Sequence, residues 1–587
     1  MDKIRNMSKP DNINLYPAPV KKIGGTKWGY IDKNGNFKIG PVFDYAENFQ
    51  YNNLAIVSIN QKSAVIDKNG NYIIAPFDGS INGFSEDRAI IRNNTGSKMI
   101  DETGKVLFST DGYISRLYEG RAVFSSKNYI HDDYTDYYGY LDKDGNIVIS
   151  ARYKYGSNFR NGKAIVKIDE YNYALIDPRG KIINIYNFYY MTDISEGLII
   201  FSPYLEDGYY KFGFVDEDGT VIIPPRFDGA SVFHQGRSIV SISDDYTYYY
   251  GLIDKKGKWI IEPTYSDIRI IGENRAAVGI PVNNKVPEGE AKYAIFDLNG
   301  NKLTDFDYFD ITDYKNGYAS VNDGKKTFFI DINGKMVDTL PIFEGIGAMF
   351  MENGVIYSII EKRRKYLLPT GKIIWEEKND LKLNDQYIIQ EEKYMPVKNY
   401  IVYYPQISGI KDSGIQKTVN AKLRQIAIVE EIEKDIQLEF TYESNYDVIY
   451  FHKKLVVIDI LGYEYYYGAA HGMPVRNCVH IDLENGRFYK LEDLFVKNSN
   501  YVKIISDIIK KQIIEQGEGS LVQPENFDKI SPDQTFFIKE NTLNIYFSPY
   551  EIAPYAAGFP TFKISFDEIS NIIDTSSEFW NSFNYKI

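Results

Sequence analysis

The chain has 587 residues, which at about 100 to 200 residues per domain is too long for one compact core. Lys and Arg number 67 against 80 Asp and Glu, and the resulting charge of −13 argues against a general binder of nucleic acids or anionic membranes. Aromatic residues make up 15% of the chain, which excludes a disordered protein. Cys478 is the only cysteine, so intramolecular disulfides, multi-cysteine zinc sites and iron–sulfur clusters are excluded. With only five histidines, the composition favours a binding protein over an enzyme, and we expect no catalytic residue, cofactor or metal.

Residues 1–20 form a leader segment without the apolar run of about 7 to 15 residues that a secretory signal needs. No later stretch approaches about 18 uninterrupted apolar residues, so we expect no transmembrane helix. These features favour a cytoplasmic location, and the alternative is that a leader has been removed.

A repeated turn motif dominates residues 21–375. In each copy a strand ends in Asp and Gly follows three positions later, and successive glycines are 34 to 43 residues apart. The copies are Asp32/Gly35, Asp67/Gly70, Asp101/Gly104, Asp142/Gly145, Asp177/Gly180, Asp216/Gly219, Asp254/Gly257, Asp297/Gly300 and Asp331/Gly334, with a degenerate tenth at Leu368/Gly371. The sequence therefore predicts a tandem array of about ten units.

Each unit alternates apolar and polar residues with period 2, as in Trp28 to Asp32 and Phe37 to Gly40, which is typical of two strands around a tight turn. Gly supplies the positive φ of the turn, and Asp can hydrogen-bond to the turn backbone. A third strand recurs about twenty residues later, for example at 53–57 and 87–91. We expect a three-stranded meander per unit, and units that stack because one alone cannot bury its apolar face.

The string from Lys27 to Gly35, with its Trp-Gly pair in the first strand, resembles the WG-repeat family, and the resemblance covers roughly residues 20 to 375. It implies an all-β repeat scaffold with an interaction role and brings no catalytic residues. The turns at Asp142 and Asp216 do not fit an EF-hand, because Gly stands at position 4 instead of 6 and a strand follows.

Four junctions between units combine acidic residues with tyrosines. They provide three candidate ligand contacts, Tyr138, Tyr210 and Tyr249, because Tyr offers a large contact area at low entropic cost and suits protein and glycan ligands. The simpler interpretation, which we favour, is that Asp starts the turn and Tyr starts the next strand. The clusters are Asp132 to Tyr138, Asp169 to Tyr173, Glu206 to Tyr210 and Asp244 to Tyr250.

The pattern changes after the array. Residues 376–384 form a charged linker, and residues 385–587 read as an α+β domain. Ser413 to Gln416 has the form of a capping box, and Ile415, Val419, Leu423 and Ile426 follow at helical spacing. A second helix has an apolar stripe from Tyr501 to Ile513, with Ser499 or Asn500 as cap and Gly517 as end. The predicted strands are 438–442, 455–461, 479–483, 542–547 and 561–566.

This region resembles the extracellular domain of RsiV-type anti-sigma factors and the non-catalytic module of PdaC-type deacetylases. The matching strings are Tyr404 to Gly409, Gly468 to Gly472, Leu491 to Phe495 and Tyr546 to Gly558. The resemblance implies a ligand-binding or sensing domain for a muramidase or cell-wall component, and a location at the cell surface. The deacetylase catalytic domain is absent from the sequence.

His471 in the Gly-rich string, with Tyr467, Tyr550 and Tyr555, forms the C-terminal set of candidate ligand contacts. The favoured interpretation of His471 is a structural residue bonded to backbone, ligand contact is second and general-base catalysis third. Residues 385–587 carry −9 of the charge and the first 384 carry −4, so a cationic muramidase would associate faster with this region. Cys478 is most simply a core thiol.

The sequence thus predicts a mainly β protein, with an array of about ten β-meander repeats followed by an α+β domain. We expect a non-enzymatic binding or sensor protein whose partner is a protein or a cell-wall glycan. The alternatives are an intracellular interaction scaffold that uses the array alone and, third, a cell-wall hydrolase.

Overall fold

The computed structural model describes residues 14–127, 136–203, 210–245, 247–283, 289–428, 430–434, 436, 438–517 and 519–583. The described residues fall into two compact units. The first comprises Met1–Ala18 and Trp28–Glu376, and the second comprises Pro19–Lys27 and Glu377–Ile587. The short segment Pro19–Lys27 therefore belongs to the C-terminal unit, although the first repeat continues after it.

The described part of the first unit contains ten antiparallel sheets, whose strands lie in sequence order. Sheet 1 contains β1 (Tyr16–Val20), β2 (Lys27–Ile31) and β3 (Phe37–Phe43). Sheet 2 contains β4 (Tyr45–Ala46), β5 (Ala55–Ile59), β6 (Lys62–Ile66) and β7 (Tyr72–Phe77). Sheet 3 contains β8 (Ser80–Ile81), β9 (Arg88–Asn93), β10 (Gly96–Asp101) and β11 (Val106–Thr110). Sheet 4 contains β12 (Arg121–Lys127), β13 (Asp136–Asp142) and β14 (Ile147–Tyr153). Sheet 5 contains β15 (Tyr155–Gly156), β16 (Ala164–Lys167), β17 (Asn172–Ile176) and β18 (Ile182–Asn187). Sheet 6 contains β19 (Tyr190–Ser195), β20 (Leu198–Ser202), β21 (Phe212–Asp216) and β22 (Val221–Phe227). Sheets 7 to 10 consist of β23 (Gly229–Ala230), β24 (Arg237–Asp244), β25 (Thr247–Asp254), β26 (Trp259–Tyr265); β27 (Asp267–Ile270), β28 (Arg275–Pro281), β29 (Ala291–Asp297); β30 (Asp310–Ile311), β31 (Tyr318–Asn322), β32 (Lys326–Asp331), β33 (Phe343–Glu344); and β34 (Gly347–Glu352), β35 (Val355–Ile360), β36 (Arg363–Leu367), β37 (Ile373–Glu376). The expected mainly β array of about ten units is confirmed.

The strands of one sequence repeat are shared between two sheets. The third strand of the first repeat, β5, pairs with β6, the first strand of the second repeat, from Ala55 opposite Ile66 to Ile59 opposite Lys62. Asn60 and Gln61 have φ of 52° and 63°, as expected for a two-residue hairpin turn that matches the strand twist. The link from β3 to β5 is longer and carries β4 into the next sheet. The unit that pairs in space is thus offset from the meander expected within one repeat.

The predicted Asp-Gly turns are confirmed in detail. The Asp32 side chain accepts hydrogen bonds from the backbone N–H groups of Asn34 and Asn36 at 2.8 and 3.0 Å. Gly35 has φ of 83° and donates its N–H to the Asp32 carbonyl at 3.0 Å. The same Gly-to-Asp backbone bond closes the turns at Gly70, Gly104, Gly145, Gly180, Gly219, Gly257, Gly300 and Gly334.

The array closes into a ring. Each pair of consecutive sheets shares a buried apolar cluster, from sheets 1 and 2 through sheets 9 and 10. A further cluster joins sheet 10 to sheet 1, where Val355 and Tyr366 pack with Ala18 and Ile31. Because every sheet has a neighbour on both faces, no terminal sheet has to expose an apolar face, as it would in an open solenoid. The geometry is that of the radial sheet arrangement of β-propellers.

Arginines at the start of the third strand connect repeats that are not adjacent in sequence. Arg237 donates from Nε to the Leu298 carbonyl at 2.6 Å, and Arg275 donates to the Ile332 carbonyl at 2.8 Å. Both acceptors directly follow the Asp of a turn, so the charged group satisfies a carbonyl at the turn. The same contact is made by Arg88 to Lys143 and by Arg121 to Pro178.

The C-terminal unit is built on a seven-stranded sheet. In spatial order its strands are β38 (Leu381–Lys382), β39 (Ile388–Val397), β40 (Tyr400–Ser408), β41 (Phe440–His452), β42 (Leu455–Tyr466), β43 (Met473–Asp482) and β44 (Phe488–Tyr489). Helix α1 (Ser413–Ala427) packs on one face, where Val419 and Leu423 join Val456 and Ile458 in one core. A second core on the other face contains Leu455 and Val457. It also includes the sheet β45 (Phe536–Lys539), β46 (Thr542–Tyr546), β47 (Thr561–Ser565) and the helices α2 (Tyr501–Gln516) and α3 (Glu578–Phe583).

The helix boundaries correct one expectation. The cap of α1 is Asp412, one residue before the predicted Ser413, and its carboxylate accepts from the N–H groups of Gly414 and Ile415 at 2.7 and 3.0 Å. A carboxylate at this position also interacts favourably with the helix dipole. Helix α2 begins after Asn500 and ends at Gly517 with φ of 74°, as predicted. Among the described residues, none of the helices combines the length and apolar character needed to cross a bilayer.

Candidate ligand-binding surface

On one face of β42 the first side chains lie in the second core, and the later side chains of the same face extend beyond it. Leu455 and Val457 are buried there, and Leu461 and Tyr463 continue on the same face, since side chains two residues apart share a face. Tyr463 is 36% exposed. The loop after β42 brings His471 back toward it, and the loop after β46 carries Tyr550 and Tyr555.

His471 joins these two loops. Its Nδ1 lies 3.0 Å from the carbonyl oxygen of Gly472, and since a carbonyl only accepts, Nδ1 carries the proton. Its Nε2 lies 3.0 Å from the Tyr550 hydroxyl, which donates to Nε2 in the tautomer that has the proton on Nδ1. The ring stacks on Tyr555 with centroids 3.9 Å apart and planes inclined by 27°.

Tyr463 completes the group. Its hydroxyl accepts from the Gly472 N–H at 3.0 Å, and its hydrogen bond with Tyr555 raises the pKa of Tyr555. A side chain at position 472 would overlap the Glu464 carbonyl and the Tyr463 ring, which explains the glycine. We call Tyr463, His471, Tyr550 and Tyr555 the aromatic surface. Residues 79 apart in sequence, His471 and Tyr550, meet in it.

The Tyr550 loop is held in a strained conformation. Tyr550 has φ of 68°, a left-handed region that costs a residue with a side chain about 1 to 2 kcal/mol. Its N–H bonds to the Ala553 carbonyl at 3.1 Å, and Glu551 accepts from the Ser548 N–H at 2.8 Å. The Tyr550 side chain is 56% exposed. Strain that presents an exposed aromatic ring is typical of a functional loop.

A buried polar network anchors the two strands that carry these loops. Arg476 of β43 forms a bidentate ion pair with Asp459, with Nη2 2.7 Å and Nε 3.0 Å from the carboxylate oxygens. The Tyr546 hydroxyl of β46 donates to the Arg476 carbonyl at 3.3 Å and accepts from the Cys478 N–H at 3.2 Å. Such bidentate pairs fix geometry as well as adding energy. The network therefore holds in place the strands from which the loops of the aromatic surface extend.

Cys478 belongs to this network. It lies on β43 as predicted, and its thiol donates to the Asp459 carboxylate at 3.1 Å. Burial raises the pKa of the Cys478 thiol, and the Asp459 charge adds to the rise. The thiolate, which is the reactive form, is thus strongly disfavoured.

The other predicted contacts lie elsewhere. Tyr467 accepts a hydrogen bond from Asn399 at 2.7 Å and packs edge-on to Tyr465. Tyr138 is half-buried in the core between sheets 4 and 5. Tyr210 stacks on Tyr189 with centroids 5.4 Å apart, and Tyr249 is 38% exposed on β25.

Parts of the junction clusters lie outside the described residues, namely Asp132, Asp133, Tyr134, Glu206, Asp207, Tyr209 and Tyr246. For the described members, Tyr138 and Tyr249 belong to strands β13 and β25, which agrees with the simpler interpretation of these tyrosines as strand residues.

Both ring nitrogens of His471 have partners other than a carboxylate, namely a backbone carbonyl and a phenol. His480, nine residues on, is buried and stacks on Phe536 with centroids 4.1 Å apart. The described residues contain no group of three or more His, Cys, Asp and Glu side chains that could hold a metal ion.

Comparison with known families identifies both parts of the chain. The WG-containing repeat model matches residues 28–62, 138–171, 212–246 and 250–280. The model of a protein family of unknown function, DUF3298, matches residues 492–567. The chain therefore carries WG repeats in its N-terminal region and a DUF3298 domain, the RsiV-like domain of the sequence analysis, at its C-terminus. No curated protein matches the sequence.

Solved structures similar to the chain include two DUF3298 family members. That from Pseudomonas aeruginosa PAO1 has 15% identity and a TM-score of 0.27, over 34% of this chain and 97% of that one. That from Bacteroides fragilis NCTC 9343 has 18% identity and a TM-score of 0.26, over 34% and 96%. BamB from Moraxella catarrhalis has 13% identity and a TM-score of 0.27, over 48% and 96%.

Proposed function

We propose that this chain, with its WG repeats and DUF3298 domain, is a non-enzymatic binding protein whose C-terminal unit docks a protein ligand on the aromatic surface. The single observation that carries the proposal is the exposed, pre-organised stack of His471 on Tyr555, with Tyr550 bonded to the imidazole. Tyrosines in fixed orientations lose little side-chain entropy on binding and are enriched among the residues that dominate interface energies.

The surroundings of the aromatic surface favour a protein ligand. Leu461 is 42% exposed on the face of β42 that also carries Tyr463, so an aliphatic side chain extends the apolar area of the aromatic surface. Aromatic residues are enriched at the centres of protein interfaces. The underlying ion pair of Arg476 with Asp459 keeps the area rigid, which lowers the cost of binding.

The charge of the region suggests the kind of partner. Residues 385–587 carry a formal charge of −9, which would speed association with a cationic protein. The resemblance to RsiV-type domains suggests a muramidase. We therefore expect a cationic muramidase to bind with an association rate that falls as salt is added.

The test is biolayer interferometry of the full chain with hen lysozyme at low and high salt. We expect Tyr550→Ala and His471→Ala to weaken binding at least tenfold, since both remove contact area at the centre of the surface. Tyr466→Ala is the matched control. Tyr466 is 52% exposed on β42, the strand that also carries Tyr463, but it points to the opposite face of the sheet.

Four outcomes would count against the proposal. Absence of a saturable complex would exclude a muramidase as the ligand. An equal loss of binding in Tyr466→Ala would show that the ligand does not bind at the aromatic surface. Binding of purified peptidoglycan fragments instead of lysozyme would make the ligand a glycan. Release of soluble muropeptides by the wild type, lost in His471→Ala, would make the protein an enzyme.

A further inference from the structure

The ring of the first unit encloses a cavity of about 900 Å³. Its walls include Asn48, which follows β4 of sheet 2, and Arg269 on β27 of sheet 8. Residues of sheets 9, 10 and 1 complete the lining. Since first strands from both sides of the ring closure line one space, these strands face the interior of the ring. A volume near 900 Å³ is within the usual range of small-molecule sites.

Four aromatic rings form one wall of this cavity across the closure of the ring. Phe350 stacks on Tyr357 with centroids 6.4 Å apart, and Tyr357 stacks on Tyr366 at 4.9 Å. Tyr16 of sheet 1 follows at 5.2 Å from Tyr366. Phe350 is 47% exposed, so part of the wall is open to a ligand.

The charged groups of the lining leave an excess of negative charge. The lining contains the carboxylates Asp310, Asp313 and Glu352 against the basic groups of Arg269 and Lys315. Lys315 is paired with Glu352 at 3.0 Å.

Arg269 lies between two carboxylates, 3.5 Å from Asp267 and 3.6 Å from Asp310. Asp313 is exposed and has no ion pair among the residues that the structure describes. An anionic ligand would therefore meet carboxylates and basic groups that are already neutralised. Burial raises the pKa of Tyr16, and the nearby Glu352 carboxylate raises it further.

We infer that this cavity binds a small organic ammonium ion, which the aromatic wall and the carboxylate of Asp313 would hold. The faces of aromatic rings attract cations, and desolvation in a cavity strengthens this attraction. Carboxylates in a concave site raise the local cation concentration further. The site shares no residue with the aromatic surface, so it goes beyond the proposed function and can fail independently of it.

Choline is the probe, and its neutral isostere 3,3-dimethyl-1-butanol tests whether the charge is recognised. Isothermal titration of the full chain should give saturable binding of choline and at least tenfold weaker binding of the isostere. Phe350→Ala and Asp313→Asn should each weaken choline binding at least fivefold. Tyr248→Ala and Asp338→Asn, both exposed outside the cavity, should leave it unchanged.

Circular dichroism of each variant shows whether the ring is intact. No saturable choline binding by a folded wild type overturns the proposal. So does equal affinity for choline and its isostere, which indicates a purely apolar site. Saturable binding of cellobiose that does not depend on Asp313 would make the cavity a saccharide site.

Discussion

The hydroxyl of Tyr366 donates a hydrogen bond to the backbone carbonyl of Pro17 at 3.0 Å, across 349 residues of sequence. The corresponding tyrosines of earlier repeats make the same bond to the next sheet, Tyr30 to the Glu47 carbonyl at 2.7 Å and Tyr140 to the Ser157 carbonyl at 2.8 Å. The last repeat thus meets the first as other repeats meet their successors. This equivalence is why the closed ring contains no specialised end.

Removing the closing hydroxyl tests this equivalence. Tyr366→Phe should lower the free energy of unfolding of the ring by about 1 to 3 kcal/mol, because the Pro17 carbonyl is left buried without a donor. Urea titrations read by pulsed hydrogen exchange of β2 and β36 peptides measure the loss. Tyr30→Phe is the matched control within the ring and should lose a similar amount. A stable Tyr366→Phe beside a destabilised Tyr30→Phe would show that the closure is not an ordinary contact between repeats.

A glycine at the same closure gives a second prediction. Gly35 has φ of 83°, and a side chain there would overlap the Ile374 carbonyl of sheet 10. Gly120 has φ of 70° with open space around it. Both Ala variants incur the left-handed cost of about 1 to 2 kcal/mol, but only Gly35→Ala must also displace the last sheet. We expect Gly35→Ala to lower the urea midpoint clearly more than Gly120→Ala. Equal midpoints would contradict the close packing of sheet 10 on this turn.

Local features of the fold were predictable because their causes are local. The Asp and Gly of each turn act on backbone groups within four residues, and Asp32 with Gly35 shows the predicted bonds. The offset between repeat and sheet was not predictable in the same way, since it depends on whether β5 pairs with β3 or β6. Tight hairpin geometry at Asn60 and Gln61 decides it, and no Gly marks that turn.

Contacts between distant segments escaped the sequence analysis for a different reason. His471, Tyr550 and Tyr555 were each candidates, but nothing in their spacing indicates that the imidazole would stack on Tyr555. Tyr463 could have been predicted from the alternation of side chains along β42, because it shares a face with Leu455 once that face is known to be the buried one. The cavity could not be predicted from the sequence, because Tyr16 and Tyr366 come together only when the ring closes.

The turn carboxylates should make the array sensitive to acid. Burial alone would raise the pKa of Asp67, but hydrogen bonds from Asn71 and Asn69 outweigh it and hold the pKa below its usual value. The same balance lowers the pKa of Asp142, with Asn146 as the main donor. A lowered folded-state pKa gives stability that is present above about pH 4, the unfolded value, and is lost as the pH falls through the folded value.

Neutral amides at these turns test that mechanism. Asp67→Asn/Asp142→Asn keeps acceptor oxygens but removes two charges, so its urea midpoint should lie below that of the wild type at pH 7. The difference should shrink toward zero near pH 2.5, where the wild-type carboxylates are also protonated. A gap that stays constant with pH would show that the loss is steric. Circular dichroism at each pH confirms that both proteins are folded before urea is added.

His480 should give the C-terminal unit a separate loss of stability in acid. Its ring is buried against Phe536, Nε2 accepts the Ile538 N–H at 3.2 Å, and Nδ1 has no partner in the described structure. Burial lowers the pKa of His480 to about 3. Between that value and the unfolded value of about 6.5 only the unfolded chain binds the proton, so stability falls as the pH drops, by about 1.4 kcal/mol per unit.

The measurement compares wild type with His480→Phe at pH 7 and pH 5, using urea titrations and pulsed hydrogen exchange of β45 and β46 peptides. From pH 7 to pH 5 the wild type should lose about 2 kcal/mol more than the variant, which has no group to protonate at this position. At pH 7 the variant itself should be destabilised, because the Ile538 N–H loses its acceptor. His452→Gln, at an exposed residue of the same sheet, should retain the wild-type pH dependence. If His480→Phe loses as much stability in acid as the wild type, the acid sensitivity of this unit comes from groups other than His480.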